Sequence, residues 1–178
     1  VMLIHADNLS YFEPVDFVNT HLNRPKDAAI TMMTFKTTTP ETCGIVKTTA
    51  NGMVEEFYEK VINPPGDCAN AAVYIVEPEI IDFLISLSKE TIDFSTEVLP
   101  VFVNKRKVFT YHNGYYHRDI GTLENYLEAQ VDFPYGVIEN QKKDAWKSLC
   151  TKSESQFDKK LLSILSKALN AEIIDITE

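Results

Sequence analysis

The chain has 178 residues, 44% of them hydrophobic and 24% charged, which is enough for one globular domain with a sizeable core. Its formal net charge of −9 argues against general nucleic-acid binding, which needs a basic face to neutralise phosphates. Three widely spaced cysteines form no CxxC pair, so we expect reduced thiols in a cytoplasmic setting. No apolar run approaches the ~18 residues of a membrane span, so we expect no membrane partner.

The first part of the chain alternates between strand and helix patterns. Continuous apolar runs at 1–6 and 28–35 predict two strands buried on both faces. Helical spacing over 13–24, with Pro14 in the first turn, predicts a helix between them. Two strands around a helix form a βαβ unit, which favours parallel strands. The expected fold is therefore α/β, with a mostly parallel, doubly wound, Rossmann-like sheet.

Two hairpins and several further elements are predicted downstream. Asn51 and Gly52 separate two alternating runs within 43–61 and tolerate the positive φ of a tight hairpin turn. A second hairpin is predicted over 107–119, around the sequence HNG. The other predicted elements are a loop at 62–70, a strand at 71–76, a helix at 77–87, a helix over 94–103 capped by Ser95 or Thr96, and a helix at 122–129 capped by Thr122.

The character of the sequence changes after about residue 130. A linker-like stretch precedes two amphipathic patterns, which predict a helical appendage over 131–178 beside an α/β domain at 1–130. The appendage either packs on the α/β body or forms a dimer or docking surface, so a homo-oligomer is one reading.

Polar side chains recur where predicted strands end. Asp7 ends the first strand, Glu59 and Lys60 end the strand after the first hairpin, Asn70 opens the next strand, and Asp119 ends the second hairpin. Two aspartates can hold Mg²⁺, a lysine suits a phosphate, and an amide can bind a sugar hydroxyl. Each also has an ordinary reading, as a turn, cap, loop or solvated surface residue. The four histidines show no metal-ligand spacing, and His112 and His117 are expected at the surface.

Five segments in order resemble the later part of a sugar-1-phosphate nucleotidyltransferase, also called a nucleotide-sugar pyrophosphorylase. They are ADN (6–8), CGIVKTTANGMVEEFYEK (43–60), NAAVYIVEPEIIDFL (70–84), DFSTEVLP (93–100) and DIGTLENYLEA (119–129). The ordered set is specific, although each segment alone is weak. The nearest type is the mannose-1-phosphate or heptose-1-phosphate guanylyltransferase.

The resemblance implies nucleotidyl transfer from a nucleoside triphosphate (NTP) to a sugar 1-phosphate, giving pyrophosphate and a nucleotide sugar for polysaccharide or glycoconjugate synthesis. It implies that Asp7 and Asp119 hold the catalytic Mg²⁺ and that Lys60 binds the sugar phosphate. It also gives contacts with the sugar to Glu59 and Asn70 and to the backbone of Gly44, which reads equally well as a tightly packed strand position.

The sequence departs from the family pattern in several places. Ala6 and Ala72 stand where the family often has glycine, and His117 stands where it often has an aromatic residue. No two of the six glycines lie within five residues, so the chain has no Gly-rich nucleotide loop. We expect a C-terminal portion of a longer enzyme, inactive alone; the alternative is a natural short chain.

Two other functions remain open. One is a glycosyltransferase of similar fold, which would need an acidic pair such as Asp-x-Asp, whereas Asp7 stands alone in HADN. The other is a non-catalytic regulatory or sugar-phosphate-binding subunit, which the missing loop favours.

Overall fold

The structure, a computed structural model, describes residues 1–132. Contacts within the chain separate a unit at Val1–Tyr126 from a second at Leu127–Glu178, and both sheets and the helices that cover them lie in the first. The predicted appendage lies outside the described residues apart from positions 131 and 132. The appendage and the boundary near 130 therefore remain predictions.

Eight strands and four α-helices are present in the described part of the chain. The strands are β1 (Met2–Ile4), β2 (Asn8–Tyr11), β3 (Ile30–Lys36), β4 (Gly44–Thr48), β5 (Val54–Glu59), β6 (Cys68–Val76), β7 (Val108–His112) and β8 (Tyr116–Asp119). The helices are α1 (Pro14–Leu22), α2 (Pro78–Ser86), α3 (Leu99–Asn104) and α4 (Leu123–Asp132).

Six strands form the main sheet, in the order β5-β4-β6-β3-β7, with β1 also paired to β6. The α/β class is confirmed, but the prediction of a mostly parallel sheet is wrong for residues 1–132. Only β3 and β7 pair in parallel there, and the other neighbours run antiparallel. The reason is that β6 lies between β4 and β3, which run in the same direction, and pairs antiparallel with both.

The βαβ prediction is right about the direction of β1 and β3, which run the same way, but wrong about their position, because they are not neighbours in the sheet. Tyr74 of β6 pairs with Leu3 on one side and Met32 on the other, both antiparallel, so β1 and β3 run the same way with β6 between them. β3 is buried as predicted. The expectation that β1 is buried on both faces is wrong, because Met2 and Ile4 are exposed.

Helices cover both faces of the sheet, as a doubly wound arrangement requires. On one face, Phe17 of α1 packs with Met33, Val73 and Ile75. On the other, Ile80 of α2 and a larger set from α3 and the preceding turn close the main core; that set is Val98, Leu99, Phe102 and Val103. Among residues 1–132, no helix has the length and hydropathy that a membrane crossing would require.

The second predicted hairpin does not form. β7 pairs with β3, whereas β8 leaves the main sheet and pairs with β2 in a separate two-stranded sheet. The buried side chain of Asn113 stabilises this change of direction. Its Nδ2 donates to the carbonyls of Tyr11 and Tyr116, each at 3.1 Å, and its Oδ1 accepts from the Tyr115 amide at 3.0 Å.

The predicted cap before the 94–103 helix is also wrong. Asp93 is the cap, and its Oδ1 accepts from the amides of Ser95 at 2.9 Å and Thr96 at 3.1 Å. The following turn, Phe94–Val98, is a π-helix that leads into α3. Thr122 does cap α4 as predicted, since its Oγ1 accepts from the Asn125 amide at 3.2 Å.

Candidate functional site

The two-stranded sheet places Asp7 and Asp119 side by side. Asn8 pairs with Asp119 in register, and the Ile120 amide donates to the Asp7 carbonyl at 2.8 Å. The backbones of the two predicted metal ligands are therefore neighbours, although β1 and β8 lie at opposite ends of the described sequence. No pattern in the sequence predicted β2, the strand that makes this contact.

Local contacts define the surroundings of each carboxylate. Asp119 Oδ1 accepts from the Gly121 amide at 2.7 Å, and a Cβ at Gly121 would stand 2.9 Å from that oxygen, so a side chain at position 121 would push the Asp119 carboxylate aside. Asp7 is exposed, and its Oδ1 lies 3.9 Å from Nδ1 of His5. Both carboxylates are thus open to solvent on at least one side.

Asn70 lies next to the loop that carries Asp7, within β6 rather than at its start. Its Oδ1 accepts from the Ala72 amide at 3.0 Å, and its Nδ2 donates to the Tyr74 hydroxyl at 2.7 Å. The Ala71 carbonyl accepts from Asn8 Nδ2 at 3.4 Å. Asn70 is therefore already engaged with its own strand on both polar atoms.

Gly44, Glu59 and Lys60 form the other part of the site. Gly44 pairs directly with Glu59 across the first hairpin, and the Lys60 amide donates to the Cys43 carbonyl at 3.2 Å. A Cβ at Gly44 would lie 2.7 Å from both Glu59 Oε2 and Phe57 Cζ. The structure thus shows the tightly packed strand position, and the contact between the Gly44 backbone and a sugar stays a prediction.

The electrostatics of this part of the site follow from partial burial. Burial raises the pKa of the Glu59 carboxyl; the nearby charge of Lys60 opposes the rise, and that of Asp93 adds to it. Lys60 Nζ lies 3.9 Å from Glu59 Oε1 and is largely exposed. A half-buried carboxylate suits hydroxyl groups, and the exposed ammonium beside it suits a phosphate.

Two neighbours of the site were not among the predicted site residues. Tyr74 is almost fully buried, and burial raises the pKa of its hydroxyl to about 12, so it remains a neutral hydrogen-bonding partner of Asn70. Asp93 lies close enough to influence the pKa values of both Glu59 and Tyr74. In the sequence, Asp93 follows a short polar stretch and precedes a predicted helix, which is a position for a capping residue. Ser95 and Thr96 are also suitable caps, so the sequence did not single out Asp93.

His117 is not the surface residue that the sequence suggested. Its Nδ1 lies 2.7 Å from the Ser10 hydroxyl, and its ring packs on Phe35 with centroids 4.2 Å apart. Burial lowers its pKa to about 4, against a smaller opposing effect of Asp119. A neutral ring therefore joins the β2–β8 pair to the main sheet two residues before Asp119.

The pairing of Ile45 with Ala69 connects the two parts of the site, since these residues adjoin Gly44 and Asn70 in the chain. The structure thus arranges the predicted residues along one end of the sheet, in two groups: Asp7, Asn70 and Asp119 in one, and Gly44, Glu59 and Lys60 in the other.

The donor chemistry of Asp7 and Asp119 fits Mg²⁺. No group of three or more His, Cys, Asp or Glu side chains is arranged to hold a metal ion within residues 1–132. Mg²⁺ does not need such a group, because it usually takes one or two carboxylates and completes its shell with water and substrate phosphates. The two aspartates supply only oxygen ligands and lie on adjacent backbone positions.

An α/β sheet with polar residues at its strand ends is an arrangement that can bind ligands, and comparison with known proteins shows the family of this chain. A model of the nucleotidyl transferase family matches residues 1–136. The chain belongs to that family, which confirms the resemblance seen in the sequence.

Individual relatives agree with this placement. A glucose-1-phosphate adenylyltransferase of Acetivibrio thermocellus is 30% identical over 149 residues, covering 80% of this chain and 34% of that protein. A mannose-1-phosphate guanylyltransferase of Mycobacterium tuberculosis is 29% identical over 138 residues, covering 76% of this chain and 37% of that protein. The chain therefore spans about a third of the length of the curated relatives it matches.

A solved structure shares the fold. It is a Bacillus anthracis protein described as a glucose-1-phosphate thymidylyltransferase, in complex with a sucrose. Its TM-score is 0.64 at 14% identity, over 73% of this chain and 52% of that one, so it supports the fold alone. The named relatives differ in the nucleotide they transfer, so they do not single out a base for this chain.

Proposed function

We propose that the protein containing this chain transfers a nucleotidyl group from an NTP to a sugar 1-phosphate, giving a nucleotide sugar and pyrophosphate. The observation that carries the proposal is the adjacency of Asp7 and Asp119, in a chain that belongs to the nucleotidyl transferase family. The described residues would supply the sugar-binding half and the metal carboxylates. Free thiols at Cys43 and Cys68 support a cytoplasmic setting.

Each residue has a role that its surroundings favour. Lys60 would pair with the phosphate of the sugar 1-phosphate, because its ammonium is exposed and only loosely paired with Glu59. Glu59 would accept hydrogen bonds from sugar hydroxyls, since Gly44 leaves room for its carboxylate against the sheet.

Asp7 and Asp119 would hold Mg²⁺, which when bound offsets negative charge on the phosphate oxygens. The chain itself contributes by orienting these carboxylates. The Gly121 amide fixes one oxygen of Asp119, and the Ile120 amide ties the Asp7 backbone to the same turn. Such positioning is the main demand of phosphoryl-type transfer.

Replacing Asp119 with Asn in the natural protein tests the proposal. Asn keeps an oxygen that can accept from the Gly121 amide, so the turn should persist while the negative charge is lost. We expect Mg²⁺-dependent pyrophosphate release to fall about 100-fold or more. Asp82→Asn is the matched control, because Asp82 is an exposed residue of α2.

Equal activity of Asp119→Asn and the parent protein would rule out the metal assignment. If the parent protein releases no pyrophosphate with any combination of NTP and sugar 1-phosphate, yet binds a sugar 1-phosphate, the non-catalytic regulatory function takes its place.

A further inference from the structure

Ala72 adopts a backbone conformation that is unfavourable for alanine, in the middle of β6. Its φ is +52°, in the left-handed region that favours glycine because Cβ crowds the following carbonyl. The pairing of β6 with β3 is irregular at this point: Tyr74 faces Met32, but Asn70 faces Thr34, so β6 has extra residues. The segment 70–72 is therefore a bulge, and its conformation must be held by specific contacts.

Asn70 supplies those contacts from within the bulge. Its Oδ1 accepts from the Ala72 amide at 3.0 Å, which closes a local turn around the strained residue. Its Nδ2 donates at 2.7 Å to the hydroxyl of Tyr74, a residue that is 1% exposed and part of the main core. One side chain thus links the strained backbone to a fixed point in the core.

The bulge in turn contacts the loop that carries Asp7. The Ala72 carbonyl accepts from the His5 amide at 3.2 Å, and the Ala71 carbonyl accepts from Asn8 Nδ2 at 3.4 Å. These two bonds lie on either side of Asp7 in the chain. Any change in the direction of the Ala71 and Ala72 carbonyls would therefore move the segment that positions the Asp7 carboxylate.

We propose that Asn70 is a positioning residue for Asp7: it holds the 70–72 bulge in the conformation that seats the 5–8 loop. The inference rests on the proposed function for the importance of Asp7, but the mechanical coupling stands on the contacts alone. It differs from the role that the family resemblance gives to Asn70, because the effect on the reaction passes through the loop of Asp7 rather than through a sugar hydroxyl.

A double-substitution cycle in the natural protein separates these two roles. Asn70→Ala removes the acceptor for the Ala72 amide, whereas Ala72→Gly removes the need for it, since glycine adopts φ near +50° without Cβ strain. The first readout is hydrogen exchange at the 5–8 loop, measured by mass spectrometry. We expect Asn70→Ala to speed exchange in this loop about tenfold or more, and Ala72→Gly added to Asn70→Ala to restore most of the protection.

The second readout is the affinity for Mn²⁺, followed by water-proton relaxation, together with the KM for sugar 1-phosphate. We expect Asn70→Ala to weaken Mn²⁺ binding about tenfold, the range for residues that orient metal ligands, and Ala72→Gly to reverse the loss. The KM for sugar 1-phosphate should change less than the Mn²⁺ affinity. A raised KM with unchanged Mn²⁺ affinity and unchanged exchange would overturn the inference, as would failure of Ala72→Gly to restore either readout.

Asn70→Ser covers the case in which Asn70→Ala does not fold. A serine hydroxyl can accept from the amide two residues later, though more weakly than an asparagine. Loop exchange should then stay within a few-fold of the parent protein, and exchange as fast as in an unfolded segment would contradict the coupling. A further outcome is that hydrogen exchange at the 5–8 loop changes as expected in Asn70→Ala and recovers with Ala72→Gly while the parent protein neither binds Mn²⁺ nor releases pyrophosphate. In that case the proposed function fails and the coupling between bulge and loop stands.

Discussion

Adding a methyl group at Gly44 should disturb the proposed sugar-binding half of the site through steric overlap alone. The Cβ of an alanine would stand 2.7 Å from Glu59 Oε2 and 2.7 Å from Phe57 Cζ, whereas ordinary contacts begin at 3.4 Å. Each group must therefore move by about 0.7 Å. Phe57 packs against the main core and cannot move freely, so we expect the carboxylate of Glu59 to be displaced as well.

The magnitude follows from the cost of overpacking. A methyl group forced into a packed position costs about 1–3 kcal/mol, so Gly44→Ala should lower the melting temperature of the natural protein measurably. Loss of one hydrogen bond from Glu59 to a sugar hydroxyl is worth about 1.5 kcal/mol, which corresponds to about a tenfold rise in the KM for sugar 1-phosphate. The KM for the NTP should change much less.

Gly66→Ala is the matched control. A Cβ at Gly66 would meet nothing within 4 Å, and the residue does not require a positive φ. Its melting temperature should be unchanged or slightly higher, because alanine restricts the unfolded chain. If Gly44→Ala and Gly66→Ala have the same melting temperature, then Glu59 and Phe57 do not lie over Gly44. If it melts lower but keeps the parental KM for sugar 1-phosphate, Glu59 is not a sugar contact.

Two further predictions concern stability. Burial, with help from Arg24, lowers the pKa of His21, whose ring nitrogens lie 2.8 Å from Thr31 Oγ1 and 3.1 Å from Glu77 Oε1. In the unfolded chain the His21 imidazole is protonated near pH 6.5, whereas in the folded chain it is protonated only at lower pH. The free energy of unfolding should therefore fall as the pH drops below about 6.5. Denaturant titrations at several pH values should show a smaller fall for His21→Gln than for the parent protein. Asn113→Ala should destabilise the protein by about 2 kcal/mol or more, because it leaves the three backbone groups bound by Asn113 without that partner. Thermal unfolding measures this loss. A change no larger than that of Gly114→Ala, where a Cβ would meet nothing within 4 Å, would contradict the prediction.

Elements whose signals are local were predictable from the sequence. The first hairpin forms where Asn51 and Gly52 predicted it, and Gly52 has the positive φ of +85° that the turn requires. The helices α1 and α2 begin at Pro14 and Pro78, because proline suits a first turn and has no backbone N–H to leave unpaired. These features depend on residues a few positions apart, so a single sequence contains the information.

Features that depend on a distant partner were not predictable in this way. The position of β6 between β1 and β3 depends on which strands pair, and an apolar run does not specify its neighbours. His117 is polar and stands beside a turn, which suggests exposure, but Phe35 from a distant strand covers it. The positive φ of Ala72 is not indicated by the residues around it, and its one signal was that the family often has glycine at this position.

The mispredicted second hairpin and the placement of the two aspartates have the same physical origin. Had β7 and β8 paired with each other, Asp119 would lie along the main sheet, and β2 would have no partner among the described strands. Instead, the buried amide of Asn113 binds backbone groups on both β2 and β8, at Tyr11 and Tyr116, and so holds the two strands together. That pairing brings Asn8 opposite Asp119 and ties Asp7 to Ile120. A residue that reads as an ordinary turn asparagine therefore helps to hold the backbones of Asp7 and Asp119 next to each other, which the proposed metal site requires.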